Sequence, residues 1–194
     1  MRNVLGKQTK TLAPRDVADL LAFAECSRHP LRNRVMVLLS AKAGLRAGEI
    51  AGLTWDMILD PTGDVGSVIE LRDHAAKKGG GRLIPMHPDL ADALSVLRRA
   101  SISSGHVVQS ERDGPMAVLS IVVWFKRAYA YLGLDGCSSH SGRRTFITRA
   151  ARLVHEAGGS LRDVQLLAGH RSIQTTQRYI DGDTDAQRKL VSMI

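Results

Sequence analysis

The spacing of apolar residues changes period twice along the chain, and this double change restricts the fold more than any single residue does. Val17, Leu20, Leu21 and Ala24, then Val35, Leu38, Leu39 and Ala43, recur every three or four positions, the period of one helix face. From Trp55 the pattern becomes short β-like runs at Trp55–Leu59, Val65–Arg72 and Arg82–Met86. They are separated by Asp60-Pro61-Thr62-Gly63 and by Lys77-Lys78-Gly79-Gly80-Gly81. From His87 helical spacing returns and holds. The pattern predicts a mainly α chain of the α+β type: a helical bundle with one small three-stranded antiparallel sheet.

Punctuation residues set the expected boundaries. Pro14 opens a first helix, with Thr11 or Ala13 before it, and Pro30 opens a second that Gly44 ends. A short third helix carries Arg46, Glu49 and Ile50. His87-Pro88 begins a helix through Leu90, Leu94 and Leu97, ending near Ser101. Residues 102–116 read as a loop with one brief strand at Val107-Val108. The strongly apolar stretch Leu119 to Leu132 is expected at the centre of the bundle, with Tyr129 and Tyr131 as packing residues. Helices over Ser139–Val154, Ser160–Leu167 and Ser172–Tyr179 follow. The organisation predicted is a mobile leader over residues 1–10, one domain over 11–182 and a tail helix over 183–194.

Charge narrows the class of partner. Lys and Arg number 27 against 19 Asp and Glu, a net charge of +8, which favours a polyanion. With only 4% aromatic residues, rows of stacking rings for single-stranded bases are not expected, and contacts to duplex phosphates fit better. Cys26 and Cys137 lie far apart with no CxxC spacing, so neither a disulfide framework nor a cysteine zinc site is expected. Cys26, in an apolar helical stretch, reads as a small core residue. Residues 1–10 contain no signal-peptide pattern, and no run approaches 18 apolar residues. A reduced cytoplasmic location away from membranes is the expectation.

The chemistry-bearing residues cluster in a few glycine-flanked boxes: Gly44-Leu45-Arg46-Ala47-Gly48-Glu49, His140-Ser141-Gly142-Arg143-Arg144 and Leu167-Ala168-Gly169-His170, with Tyr179 nine residues beyond His170. Two arginines, two histidines and a tyrosine suit attack on a phosphodiester by a phenol. The phosphorus passes through a five-coordinate transition state whose non-bridging oxygens gain charge, and guanidinium groups bind such oxygens bidentately. Glu49 lies one helical turn after Arg46 and is placed to orient it. His140 and Arg143, spaced i, i+3, share a helix face. A zinc reading of His140 with His170 lacks a third ligand of suitable spacing.

These boxes, in the order Arg, Glu, Lys, His, Arg, His, Tyr, resemble the catalytic domain of the tyrosine recombinases, the phage-integrase family, from about Leu12 to Tyr179. The resemblance implies catalytic roles for Arg46, Lys77, His140, Arg143, His170 and Tyr179, with Tyr179 as nucleophile. Glu49, Lys78 and Arg144 are supporting residues, Arg144 on the phosphate backbone or in a structural role. The lysine comes from the stretch Lys77 to Pro85, which resembles the family's lysine hairpin. Counting back from Pro85 selects Lys77 to protonate the departing 5′-oxygen, with Lys78 one position off.

The implied activity is site-specific DNA recombination through a 3′-phosphotyrosyl intermediate, with no metal, ATP or other cofactor. The implied partners are double-stranded DNA and protomers of a tetramer assembled on it, with a helper protein or a second recombinase as a further partner. The tail from Asp185 to Ile194, with an apolar face of Leu190, Val191 and Ile194, is expected to pack on a neighbour. Most integrases add an amino-terminal helical domain that closes a clamp around DNA. This chain starts almost directly at the catalytic part and is similar in size to the fimbrial phase-variation invertases. The competing expectation is a DNA-binding regulator or accessory factor with a vestigial recombinase site.

Overall fold

A computed structural model describes residues 9–75, 80–101, 105–112, 114–179 and 191–194. The first helix, α1 (Pro14–Glu25), starts one residue after Ala13, whose backbone N–H donates to the Asp16 carboxylate at 2.7 Å. That bond satisfies one of the amide groups a helix start leaves open. Helix α2 (Pro30–Lys42) follows and is the centre of the molecule: Val35, Met36, Val37, Leu38 and Leu39 are all at 0% exposure. Helices α1, α4 (Pro88–Ala100) and α6 (Ser141–Leu153) all pack against it. A helix buried on every side needs an apolar surface all round, and the run from Val35 to Leu39 provides one.

Gly44 ends this segment at φ +65°, and a side chain there would collide with the Phe146 ring. Helix α3 (Ala47–Gly52) leaves the turn at once. The expected strand Trp55–Leu59 is instead a 3-10 turn, Trp55–Met57, followed by one isolated bridge between Leu59 and Val65. Trp55, Met57 and Ile58 are all buried, and a turn can bury consecutive residues where a strand would send alternate ones to solvent. Among the described residues the sheet therefore has two strands rather than three, β1 (Val68–Leu71) and β2 (Arg82–Pro85), antiparallel with Leu71 opposite Arg82 and Ile69 opposite Ile84. Alternation puts Ile69, Leu71 and Ile84 in the core and leaves Leu83 exposed. Val107-Val108 forms no strand: it lies between single bridges, Thr54 with His106 and Gln109 with Pro115.

Helix α5 (Val118–Tyr131) packs on α3 and α1 but is not the central helix. It buries Ile121, Phe125, Ala128 and Tyr129 while leaving Leu119 and Tyr131 in solvent at 71% and 77% exposure. Tyr131 rests only its ring against Phe23, with centroids 5.1 Å apart. Cys26 is exposed rather than a core residue. Helices α6, α7 (Leu161–Ala168) and α8 (Ile173–Gln177) close the chain around a second, smaller apolar cluster. Of the expected leader, Lys10 is tied down by its backbone N–H to the Gly136 carbonyl at 3.2 Å. The expected tail helix falls largely outside the described residues; of its described end, Val191, Met193 and Ile194 are exposed. Among the described residues no helix is long and apolar enough to cross a membrane.

Candidate active site

Arg46 is the last residue before α3, and its extended backbone folds the side chain back over the first helical turn. Its Nη1 donates to Glu49 Oε1 at 2.6 Å, and its backbone N–H donates to Glu49 Oε2 at 2.9 Å. Glu49 is 1% exposed, and a carboxylate so buried requires further donors. Arg82, at the head of β2, supplies them. Its Nη1 donates to Oε1 at 3.1 Å and its Nη2 to Oε2 at 3.0 Å. Burial by itself would raise the Glu49 pKa. The hydrogen bonds and charge of Arg82, then those of Arg46, overcome it and hold the carboxyl at about 2. Glu49 is thus ionised at neutral pH and acts as an anchor for arginines, with no proton to give.

Arg143 projects from the first turn of α6 into the interior at 0% exposure. Its Nη1 donates to the Gly44 carbonyl and its Nη2 to the Ala168 carbonyl, each at 2.6 Å. These carbonyls stand at the carboxyl-terminal ends of α2 and α7, where backbone acceptors are unpaired and the helix dipole is negative. Burial first, then the charge of Arg46, pushes the guanidinium down to about 9, still cationic at pH 7. Gly142 makes the approach possible, since a side chain there would run into Ser40.

The two histidines enter from either side of this cation. His140 immediately precedes α6, so it shares the helix start with Arg143. Burial, then Arg143, Arg46 and Arg144, hold it below the usual imidazole range. His170 follows Gly169, which caps α7 in the left-handed region at φ +61°. The Gln165 side-chain amide donates to the His170 carbonyl at 2.8 Å, and His170 Nδ1 lies 3.0 Å from Oγ1 of the fully buried Thr176. Burial, then Arg143, Arg46, Arg82 and His140, lower the His170 ring to about 4. Both rings are neutral at pH 7, and the Thr176 contact leaves Nε2 as the His170 nitrogen to face a ligand.

Tyr179 completes the group just past α8, its backbone N–H donating to the Thr176 carbonyl at 3.0 Å. Its ring stacks on His170 with centroids 5.6 Å apart and planes 24° apart. The Arg144 guanidinium lies over the same ring, 5.4 Å from its centroid. The structure thus brings together Arg46, Glu49, His140, Arg143, Arg144, His170 and Tyr179. Lys77 and Lys78 lie outside the described residues.

Arg82, Gln165 and Thr176 are also part of this arrangement, and sequence reading did not single them out. For Arg82 a signal existed: it is two residues before Ile84, so strand alternation sends both to the inner face. The sequence placed it only as the first residue of the strand Arg82–Met86, with no role in the site. Two guanidinium groups share the Glu49 carboxylate and a third, Arg143, is held nearby on backbone carbonyls, so the described residues of the site carry an excess of positive charge suited to a phosphate oxyanion. Among the described residues no group of three His, Cys, Asp or Glu is placed to hold a metal. A concavity of about 830 Å3 bordered by Trp55, Asp60, Glu70 and Arg98 lies apart and shares none of these side chains.

Comparison with known proteins places this arrangement among relatives. The phage integrase family pattern matches residues 10–185. The tyrosine recombinase XerC of Brucella melitensis is 30% identical over 158 residues, which cover 79% of this chain and 47% of that protein. The chain thus spans about half the length of the curated relatives it matches. The crystal structure of the XerA recombinase superimposes with a TM-score of 0.73 at 24% identity, covering 94% of this chain and 64% of that one. The Tn1549 transposon integrase, solved in complex with circular intermediate DNA, superimposes with a TM-score of 0.74 at 21% identity, covering 98% of this chain and 68% of that one.

Proposed function

The chain belongs to the phage integrase family, and from that premise we propose that it is a site-specific DNA recombinase acting through a covalent tyrosine intermediate. The phenolic oxygen of Tyr179 attacks the phosphorus of one strand. The bond from phosphorus to the 5′-oxygen breaks as the 3′-phosphotyrosyl bond forms. Arg46 and Arg143 carry the charge that builds on the non-bridging oxygens, and His140 and His170, neutral in the free site, accept or share the phenolic proton. The departing 5′-oxygen takes its proton from Lys77, a role that rests on sequence position alone. The freed 5′-hydroxyl of a partner duplex then attacks the phosphotyrosyl bond and regenerates the phenol, so bond energy is conserved and no ATP or metal is consumed.

The observation that carries this reading is the stacking of Tyr179 on a neutral His170 beside cationic guanidiniums that, among the described residues, have one carboxylate, Glu49, between them. The partner is duplex DNA, and the reciprocal steps need protomers on paired sites, a tetramer in the full reaction. A helper protein or a second recombinase is a further partner. The test is a duplex nicked near the crossover, so that the short 5′-fragment diffuses away and the covalent protein is trapped. Wild-type protein is expected to form the adduct. Tyr179→Phe keeps the ring against His170 and is expected to lose the adduct completely, with DNA binding and melting temperature nearly unchanged. An adduct that persists in this variant removes Tyr179 from the role. DNA binding without any adduct from the wild type would identify a regulator with a vestigial site.

A further inference from the structure

We propose that Arg82 is a positioning residue of this centre, joining the Arg46 box to the His170 turn so that the two sides of the site keep a fixed separation. The inference rests on the recombinase reading above and deepens it. Four observations carry it. Arg82 is an arginine in a strand, yet its side chain is only 6% exposed. Its Nη1 and Nη2 engage both oxygens of Glu49, the same carboxylate that holds Arg46 by side chain and backbone. Its Nε donates in the opposite direction, to the Leu167 carbonyl at 2.9 Å, within the last turn of α7. And Gly169, whose left-handed turn presents His170, has no side chain where Arg82 lies: a Cβ there would stand 2.9 Å from Arg82 Nη1.

One planar guanidinium therefore spans α3, β2 and the end of α7. Its fork geometry makes the span rigid, because three of its nitrogens are fixed by partners on two elements. Arg46 arrives from the amino-terminal side and His170, with Tyr179 stacked on it, from the carboxyl-terminal side. No other described side chain hydrogen-bonds both the Glu49 carboxylate and the backbone leading into His170. Arg82 has Nε, Nη1 and Nη2 all engaged by the protein, so it acts through Glu49 and through the α7 terminus rather than on the phosphate. A displacement of about 1 Å between attacking and stabilising groups costs on the order of 10²-fold in rate.

The experiment uses the whole chain with the nicked duplex and measures single-turnover adduct formation at saturating DNA, beside DNA affinity and melting temperature. Arg82→Gln is expected to slow adduct formation by about 10²-fold with DNA affinity within a few-fold of wild type. The pH profile gives a readout that loosened packing would not move. The His170 ring is faced by Arg143 from α6, Arg46 from the start of α3, Arg82 from β2, His140 and Thr176. Removing the Arg82 charge is expected to move the acidic limb of the rate profile to higher pH. Arg82→Lys keeps the charge and one donor and serves if Arg82→Gln does not fold. It is expected to fold, bind DNA and cleave slowly, with the acidic limb in place. Adduct formation at the wild-type rate in either folded variant overturns the proposal, as does a loss confined to DNA affinity. Absence of adduct from the wild type would instead sink the recombinase reading itself, so the two failures are distinct.

Discussion

The two ends of this molecule are built differently. Among the described residues the amino-terminal part, through α5, is packed on a continuous cluster of 33 buried apolar residues, whereas α6 to α8 enclose a cluster of five, Ile147, Ala151, Val154, Val164 and Ala168. The larger part holds Arg46, Glu49 and Arg82. The smaller part carries His140, Arg143, His170 and Tyr179. Between them runs a buried polar seam in which Arg143 reaches the Gly44 carbonyl and Arg82 reaches the Leu167 carbonyl. The difference teaches where rigidity is invested. Glu49 and its arginines are fixed by a deep core, while Tyr179 stands on a thin one, joined to the rest by the packing of α6 on α2 and by the hydrogen bonds of the seam. Segments with few buried contacts open at lower free energy than the global transition.

Breaking the seam is the most severe test of this contrast. Glu49→Gln leaves two arginines without their shared carboxylate, and loss of one partner from a buried ion pair costs about 3–5 kcal/mol. Chemical denaturation is expected to show a loss of that size, and a loss below about 1 kcal/mol would mean that the seam contributes little.

A paired truncation sharpens the comparison. Leu38→Ala in the large core is expected to destabilise the whole chain by about 2–5 kcal/mol. Val164→Ala in the small cluster removes about 1–2 kcal/mol of burial. It should act locally, raising amide exchange in α7 and α8 with little change in α2. Uniform faster exchange after Val164→Ala would show that the two clusters open as one.

A third test is a pH dependence. The folded His170 ring titrates at about 4 against roughly 6.5 when unfolded, so the unfolded chain binds the proton first as pH falls. Stability from this group is present above about pH 6.5 and is lost on descent towards 4. Glu49, at about 2 when folded against roughly 4.3 unfolded, adds a second loss between those values. Both act in the same direction, so urea midpoints should decline from pH 7 to pH 3 in two stages. Substituting His170 by Asn should shrink the upper stage and leave the lower one, the remainder belonging to His140, whose ring is also held down, and an upper stage of unchanged size would refute the assignment.

Much of this design is legible in the sequence. Prolines 14, 30 and 88 stand at the first turns of α1, α2 and α4, and Gly44 and Gly169 end segments in left-handed turns, because these residues act through local backbone sterics. The boxes around Arg46, Arg143 and His170 were readable because glycine and arginine recur at fixed short spacings. What was not legible depends on partners distant in sequence. The apolar content of α5 said nothing of how many of its faces are covered, so α2 holds the centre that α5 was expected to fill. Arg82 is distinguished from its basic neighbours only by Glu49, a residue 33 positions away that happens to lie beneath it.

The hydrogen bond from the Leu12 N–H to Thr145 Oγ1, at 2.7 Å, closes across 133 residues, and the one from Arg143 to Gly44 across 99. Contacts of such separation form late, after local helices, because loop-closure entropy opposes them. The cluster of Arg46, Arg143, His170 and Tyr179 can therefore assemble only once the segment carrying Tyr179 has been made and can fold back onto the Gly44 turn. Translation interrupted before Tyr179 would leave the cluster without its phenol. Under the recombinase reading proposed above, the capacity to break a strand is acquired late, after the parts that hold it.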